Sequence, residues 1–469
     1  MEYFDVVIHS KYVFLNNSEL LECFLGIRNG VIAAISQSKL ENAKRFIDTQ
    51  EEMILPGTID PHVHIMDTPF LDQIDPDRSK RERYESGTKA AAAGGVTTVI
   101  EHPVCTPPPY SAELVKERMD RARNKIYVDI AFFGAAGSDH LNEMEACAKS
   151  GIVAFKTFLH EAPPGRERDY EGLTAPNDAD LYEIIKMLAE IDTLGAFHAE
   201  NNSLIERNIK NFEKLDKVTP IYHCKSRPSI AEIESTLKIL LFAKHFDAKV
   251  QICHISSPET IRFINEAKNR GVKVVAETCP QYLLLNENYL DKFGAYAKCN
   301  PPLRTEEERL EMWNLLIEGS VDTVGSDHAP HTIEAKEKGR DNIFKASSGF
   351  PGLETRLPLL FTKYREGKLE LRRLVEVICE NPAKIFKLFP KKGIIALGSD
   401  ADLVMINPKK KYTISKEKMF TTVRDIAKVY DGWEVYGMPS KTILRGEIIY
   451  ENGEIKGKPG YGKVLVPEE

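Results

Sequence analysis

Eight apolar runs separated by helical stretches constrain this chain more than any other feature. They are Met53–Ile65, Gly95–Pro103, Ile126–Ala135, Ile152–Leu159, Leu194–Glu200, Lys249–Ser256, Lys273–Pro280 and Val321–Pro330. Short apolar runs that alternate with amphipathic segments mark buried parallel strands joined by crossover helices. The stretch from Ser257 to Gly271 shows the helical side. Ser257 suits the N-cap, Pro258 the first helical position and Gly271 the stop. Eight such units over roughly 340 residues predict an α/β fold, a (β/α)8 TIM barrel with enlarged loops.

The two ends read differently. Phe4–Ile8, Tyr12–Leu15, Phe24–Arg28 and Val31–Ser36 are short strand patterns, with Asn29-Gly30 as a hairpin turn. Ala401–Asn407, Lys441–Arg445 and Glu447–Tyr450 repeat the pattern near the other end. Neither end holds enough apolar residues for its own core. They are therefore expected to pair into one small β-sandwich domain, residues 1–54 plus 393–469, beside a barrel of residues 55–392. The proline clusters Thr106–Pro109 and Ala162–Gly165 read as rigid stretches in loops.

Composition narrows the function. The chain has 469 residues, and 63 Lys+Arg against 70 Asp+Glu give a net charge of −7. That balance offers no basic footprint for nucleic acid or an anionic membrane. No apolar stretch reaches the ~18 residues of a membrane span. Met1 to Asp5 lack the basic and apolar parts of a signal peptide. The eight cysteines are widely spaced and form no C-x-x-C pair, which fits neither a disulfide framework nor a zinc ribbon. The expectation is a cytoplasmic protein without nucleic-acid or membrane partners.

In such a barrel, chemistry sits at the C-terminal ends of the strands. The first run ends Asp60-Pro61-His62-Val63-His64. With a strand period of two, His62 and His64 face the same side and suit one metal ion, although two histidines that merely finish a strand give the same pattern. His198 and His254 end the fifth and sixth runs. Four of the twelve histidines on one rim favour a metal site, because imidazole is a preferred nitrogen ligand. Asp327, at the end of the last run, suits metal binding and proton exchange with water, or simply a turn cap. His328 and His331 suit ligand orientation or substrate contact. Lys156 is the misplaced residue, because a lysine inside an apolar strand is costly unless neutralised or paired. It is either an ion-pair partner or, after reaction with carbon dioxide, a carbamate able to bridge two metal ions. Beside four histidines and an aspartate the carbamate is the favoured reading.

The set His62, His64, Lys156, His198, His254 and Asp327, in that strand order, resembles the binuclear cyclic amidohydrolases of the amidohydrolase superfamily. The resemblance spans nearly the whole chain. It includes Pro56–Asp60, Glu277–Tyr282, Asn300–Arg304, Asn381–Ala383 and Gly398–Leu403. It implies two divalent metal ions, zinc first, with manganese, cobalt or iron accepted. His62, His64 and Asp327 would hold the buried ion and His198 and His254 the outer one. N6-carboxylated Lys156 and a hydroxide would bridge them. The hydroxide would attack a ring amide, with Asp327 as proton carrier. The substrate would be a small cyclic amide or ureide, and the assembly a homotetramer or dimer.

Within the family, dihydroorotases carry an arginine where this chain has Met66, so the clamp for a substrate carboxylate is missing. Phe344–Glu354 and Tyr430–Gly432 resemble hydantoinases and allantoinases. Glu161 stands where D-hydantoinases usually place a tyrosine, which points to the L-hydantoinase and allantoinase side. Asn300 and Ser348 occupy substrate-contact positions of the family, and His331 joins them as a substrate-contact candidate. The expected activity is metal-dependent ring opening of the hydantoinase or allantoinase type. The alternatives are a dihydroorotase, a mononuclear deaminase and a catalytically silent dihydropyrimidinase-like protein.

Overall fold

The computed structural model describes residues 3–15, 20–75, 80–163 and 165–467. Met1, Glu2 and Pro164, which belong to segments read above, lie outside the described residues. The chain opens with β1 (Phe4–Phe14), β2 (Leu20–Arg28), β3 (Val31–Ser36) and β4 (Ala43–Pro56). β1 joins two strands that the sequence pattern separates. Its register against β2 shifts between Ser10 and Val13, and that irregularity is the gap in the apolar pattern. β2 and β3 form the predicted hairpin, with Asn29 and Gly30 in left-handed backbone at φ 54° and 81°.

The barrel strands are β5 (Thr58–Val63), β6 (Val96–Glu101), β7 (Asp129–Ala135), β8 (Ala154–Phe158), β9 (Gly195–His198), β10 (Lys249–Ile252), β11 (Lys273–Thr278) and β12 (Thr323–Val324). Each lies inside one of the eight predicted runs. They follow one another in a single sheet with parallel pairing throughout. A bridge between Val63 and His328, with the His64 N–H donating to the His328 carbonyl at 2.9 Å, joins the last strand to the first. Ile59, Ile100, Ala131, Phe133, Ala196, Phe386 and Leu388 share one fully packed cluster. As in barrels generally the interior is a core, which leaves the C-terminal rim for chemistry.

The run Met53–Ile65 in fact spans two sheets. The chain leaves β4 at Pro56 and enters β5 at Thr58. Gly57 permits the step, since a Cβ there would lie 2.3 Å from the Thr97 hydroxyl.

After the barrel come β13 (Leu403–Ile406), β14 (Tyr412–Thr413), β15 (Glu434–Val435), β16 (Pro439–Leu444), β17 (Glu447–Glu451) and β18 (Glu454–Ile455). One mixed sheet runs β18-β17-β16-β13-β4-β1-β2-β3, so both chain ends build it. Its core draws on both, with Val6, Ile8, Leu25 and Ile54 against Leu403, Met405 and Ile443. The helix Pro258–Asn269 forms as predicted, with one correction. Ser257 stands at the N-cap, but its hydroxyl makes no capping bond. Its N–H donates instead to Glu232, 3.0 Å away, which fixes the turn after β10.

Candidate metal centre

His62 and His64 share one side of the end of β5, as the strand period requires. Their Nε2 atoms lie 3.4 and 3.5 Å from Oδ1 of Asp327. Donors about 2.0–2.1 Å from a tetrahedral ion stand about 3.4 Å apart, so these three atoms already have the spacing of a coordination shell. Asp327 reaches the position from a left-handed backbone, φ 50°, immediately after the last strand. Nδ1 of His62 donates to Glu277 Oε1 at 2.6 Å, which leaves Nε2 as a lone pair, buried and without a hydrogen-bond partner. Glu277 also accepts from Gln251 Nε2 at 2.5 Å and from the His254 N–H at 3.2 Å.

A second pair faces this one. Nδ1 of His198 and Nε2 of His254 approach to 3.1 Å. His198 Nε2 donates to Glu200 at 2.7 Å, so its Nδ1 is again a lone pair. Burial opposes charge on Glu200, but the Arg227 guanidinium and the His198 bond outweigh it and hold the carboxyl down at about 2. Burial depresses the pKa of His62, His64 and His254 as well. Neutral imidazoles gathered beside one another and beside a carboxylate are the donor set that divalent ions take up.

Lys156 lies mid-strand in β8 with no exposed surface. Its Nζ has no hydrogen-bond partner, and among the described residues no carboxylate comes within ion-pair distance of it. The acidic neighbour that a plain ion pair would require is therefore missing.

Above these groups opens a cavity of about 600 Å³. All five residues expected to contact substrate line it: Met66, Glu161, Asn300, His331 and Ser348. Met66 has φ 63°, and its N–H bonds Glu101, which Arg118 and the Tyr84 hydroxyl also hold. Beside Glu161, burial pushes the His160 imidazole down to about 4. Burial also depresses His331, which bonds the Ser348 backbone. His328 does not line the cavity. Its Nδ1 accepts the Gly352 N–H and its Nε2 lies 3.2 Å from Glu82, so it supports the wall from behind.

Four buried groups at this rim had no assigned role in the sequence reading: Glu101, His102, Glu200 and Glu277. Each sits at or within three residues of the end of an apolar run. The strand-end rule that singled out the histidines would have found them too.

The fold and this rim define a class. A model of the amidohydrolase family matches residues 53–449, and the chain belongs to that family. It is 32% identical to an L-hydantoinase of Paenarthrobacter aurescens over 466 residues, 98% of both chains. It is 33% identical to an allantoinase of Salmonella choleraesuis over 451 residues, 96% of this chain and 95% of that one. The solved structure of an L-hydantoinase (dihydropyrimidinase) from Arthrobacter aurescens superposes with a TM-score of 0.92 at 31% identity. That match covers 99% of this chain and all of the other.

Proposed function

We propose that the protein hydrolyses a carbon–nitrogen bond in a small cyclic amide or ureide, opening the ring as hydantoinases and allantoinases do. One observation carries the reading: His62 and His64 converge on Asp327 at 3.4–3.5 Å, with Nε2 of His62 buried and free of any hydrogen-bond partner, beside the His198–His254 pair. In this reading His62, His64 and Asp327 hold one divalent ion and His198 and His254 a second, zinc by preference. Carboxylated Lys156 is the shared ligand. Bound there, such ions make water nucleophilic at neutral pH and polarise the scissile carbonyl.

The chain's own groups do the rest. Asp327 is the acid–base residue, holding the proton of the attacking water and returning it to the ring nitrogen as the bond breaks. Glu277 and Glu200 keep His62 and His198 in the tautomers that leave their lone pairs free. Asn300, Ser348 and His331 orient the ring amide. Met66 and Glu161 shape the side that takes the ring substituent. A cavity of about 600 Å³ leaves room for such a substituent. The apolar Met66, in place of a guanidinium, speaks against a substrate that carries a carboxylate on the ring.

The same reading divides the chain into a barrel of residues 55–392 and an end domain of 1–54 plus 393–469. It makes the protein a homo-oligomer, a tetramer or dimer. Exposed Ile230, Leu237 and Leu241 on one long helix support this. Eight buried, unpaired cysteines support a reducing, cytoplasmic setting. No helix among the described residues is long and apolar enough to cross a membrane.

The test is ring-opening turnover of hydantoin, dihydrouracil, allantoin and dihydroorotate, after chelation and after divalent metal is restored. Metal-dependent turnover of hydantoin or allantoin is expected, and turnover of dihydroorotate alone would overturn the substrate class. Metal content should fall close to zero in Lys156→Ala. Unchanged content would remove the bridging role.

A further inference from the structure

His102 directly follows β6 and has no exposed surface. The mechanism above gives it no task. Its ring lies flat on that of His62, with centroids 3.6 Å apart and planes 3° from parallel, and the Phe133 ring is 4.0 Å away. Its Nε2 is 3.2 Å from the Pro61 carbonyl. A carbonyl only accepts, so Nε2 carries the ring proton. Nδ1 is consequently a lone pair, and it is buried without a partner.

Lys156 Nζ is the complementary group, a buried donor that meets no strong acceptor among the described residues. Around it stand the Cys253 thiol, a weak hydrogen-bonding group, and the Phe158 ring with its centroid 5.0 Å away. His102 and Lys156 belong to the second and fourth barrel strands, and alternate strands contribute side chains to the same interior layer. One uncommitted acceptor and one donor held only by a weak thiol contact thus occupy the same dry region. Buried polar groups in folded proteins are rarely left unpaired.

We propose that His102 is the positioning residue of the Lys156 carbamate. Its Nδ1 accepts the N–H that Lys156 retains after carboxylation, while its ring fixes the plane of His62. The inference rests on the carboxylated Lys156 of the proposed function. In that modification the free amine forms a nitrogen–carbon bond to carbon dioxide and loses one proton to solvent. One N–H remains, and the negative charge is shared by two oxygens. The carbamate is planar, like an amide. An acceptor on its N–H side therefore determines which way both oxygens point, and so whether they face the histidine pairs.

Three variants separate the two tasks. His102→Phe keeps a ring on His62 and removes both nitrogens. His102→Gln keeps a donor for Pro61 but no acceptor at Nδ1, whereas His102→Asn keeps an acceptor there. The readouts are 13C NMR of protein equilibrated with 13C-bicarbonate, which reports the carbamate directly, and metal affinity by chelator competition. Thermal melting confirms that each variant is folded. Phe and Gln are expected to lose the carbamate signal and at least tenfold in metal affinity, the usual effect of removing an outer support of a metal site. Asn should restore part of both. In a Lys156→Ala background, His102→Gln should have no further effect on metal affinity. A folded Phe or Gln variant with the full carbamate signal and unchanged metal affinity overturns the assignment of His102 alone. A wild-type protein that shows no carbamate overturns it together with the reading of Lys156.

Discussion

At the scale of the residue, the chemistry of this rim depends on which nitrogen of each imidazole holds the proton. Carboxylates settle that for two of the four histidines: Glu277 for His62 at 2.6 Å and Glu200 for His198 at 2.7 Å. A carboxylate–imidazole pair also raises the basicity of the ligand nitrogen. Burial pushes the Glu277 carboxyl up to about 8, against the pull of Lys156 and of the His254 N–H. Glu277→Gln leaves a group of the same shape but removes its ability to ionise, and it also weakens the hold on the His254 backbone. The expected result is a tenfold to hundredfold loss of metal affinity, within the usual range for an outer support, measured by chelator competition. Unchanged affinity would show that His62 needs no such partner. The proposed ligands stood out in sequence, because histidine pairs and a lysine are conspicuous against apolar runs. Their supports were less so. Glu277 lies 215 residues from His62 and acts through a bond that only the closed barrel creates.

At the scale of the element, the segment after the last strand shows how loops are held where sequence periodicity says nothing. Lys298 Nζ donates to the carbonyls of Ile343, Phe344 and Ala346 at 2.9, 3.3 and 2.6 Å. Lys336 Nζ donates to the carbonyls of Ser347 and Lys298 at 3.0 and 3.4 Å. Neither lysine has a carboxylate partner among the described residues, and the segment they hold carries Ser347 and Ser348 into the cavity wall. No alternation or helical period in the sequence marks either lysine as buried, so this support was invisible until the chain was folded. Burial pushes Lys336 down to about 7. Between pH 7 and about 10.5 the unfolded chain therefore binds a proton at this site that the folded chain does not, and stability rises with pH across that window. Lys336→Met removes this dependence. Relative to wild type, its melting temperature should fall steadily as pH increases from 7 to 10. A constant difference between the two proteins would mean that Lys336 stays charged in the folded state.

At the scale of the whole molecule, barrel and end sheet meet at a buried cluster of charge. Lys392 Nζ lies 2.6 Å from Asp129, 2.7 Å from Asp400 and 2.6 Å from Asp402, and Arg445 also grips Asp129 at 2.5 Å. Asp129 opens the third barrel strand, while Arg445 directly follows β16 of the end sheet. Lys392, Asp400 and Asp402 lie on the stretch that leads into that sheet. The three carboxylates could surround a metal ion, but the lysine ammonium already fills their centre. The sequence reading placed Asp400 and Asp402 within a family motif without a role, because the cluster closes only through Asp129 and Arg445, which lie far off in the chain. Three carboxylates against two cations leave the cluster short of positive charge, and burial opposes charge on Asp402 in particular. Removing one partner of a buried ion pair usually costs ~3–5 kcal/mol, because the other is left charged and dry. Lys392→Met should therefore lower unfolding stability by about that much in urea titration. Adding Asp402→Asn to Lys392→Met should recover part of the loss, since it removes one of the stranded carboxylates. The substitution lies at the opposite end of the barrel from the proposed metal ligands, so metal affinity should be unchanged at temperatures where the variant is folded. If the double variant is no more stable than the single one, the cost comes from lost packing at the seam and not from uncompensated charge.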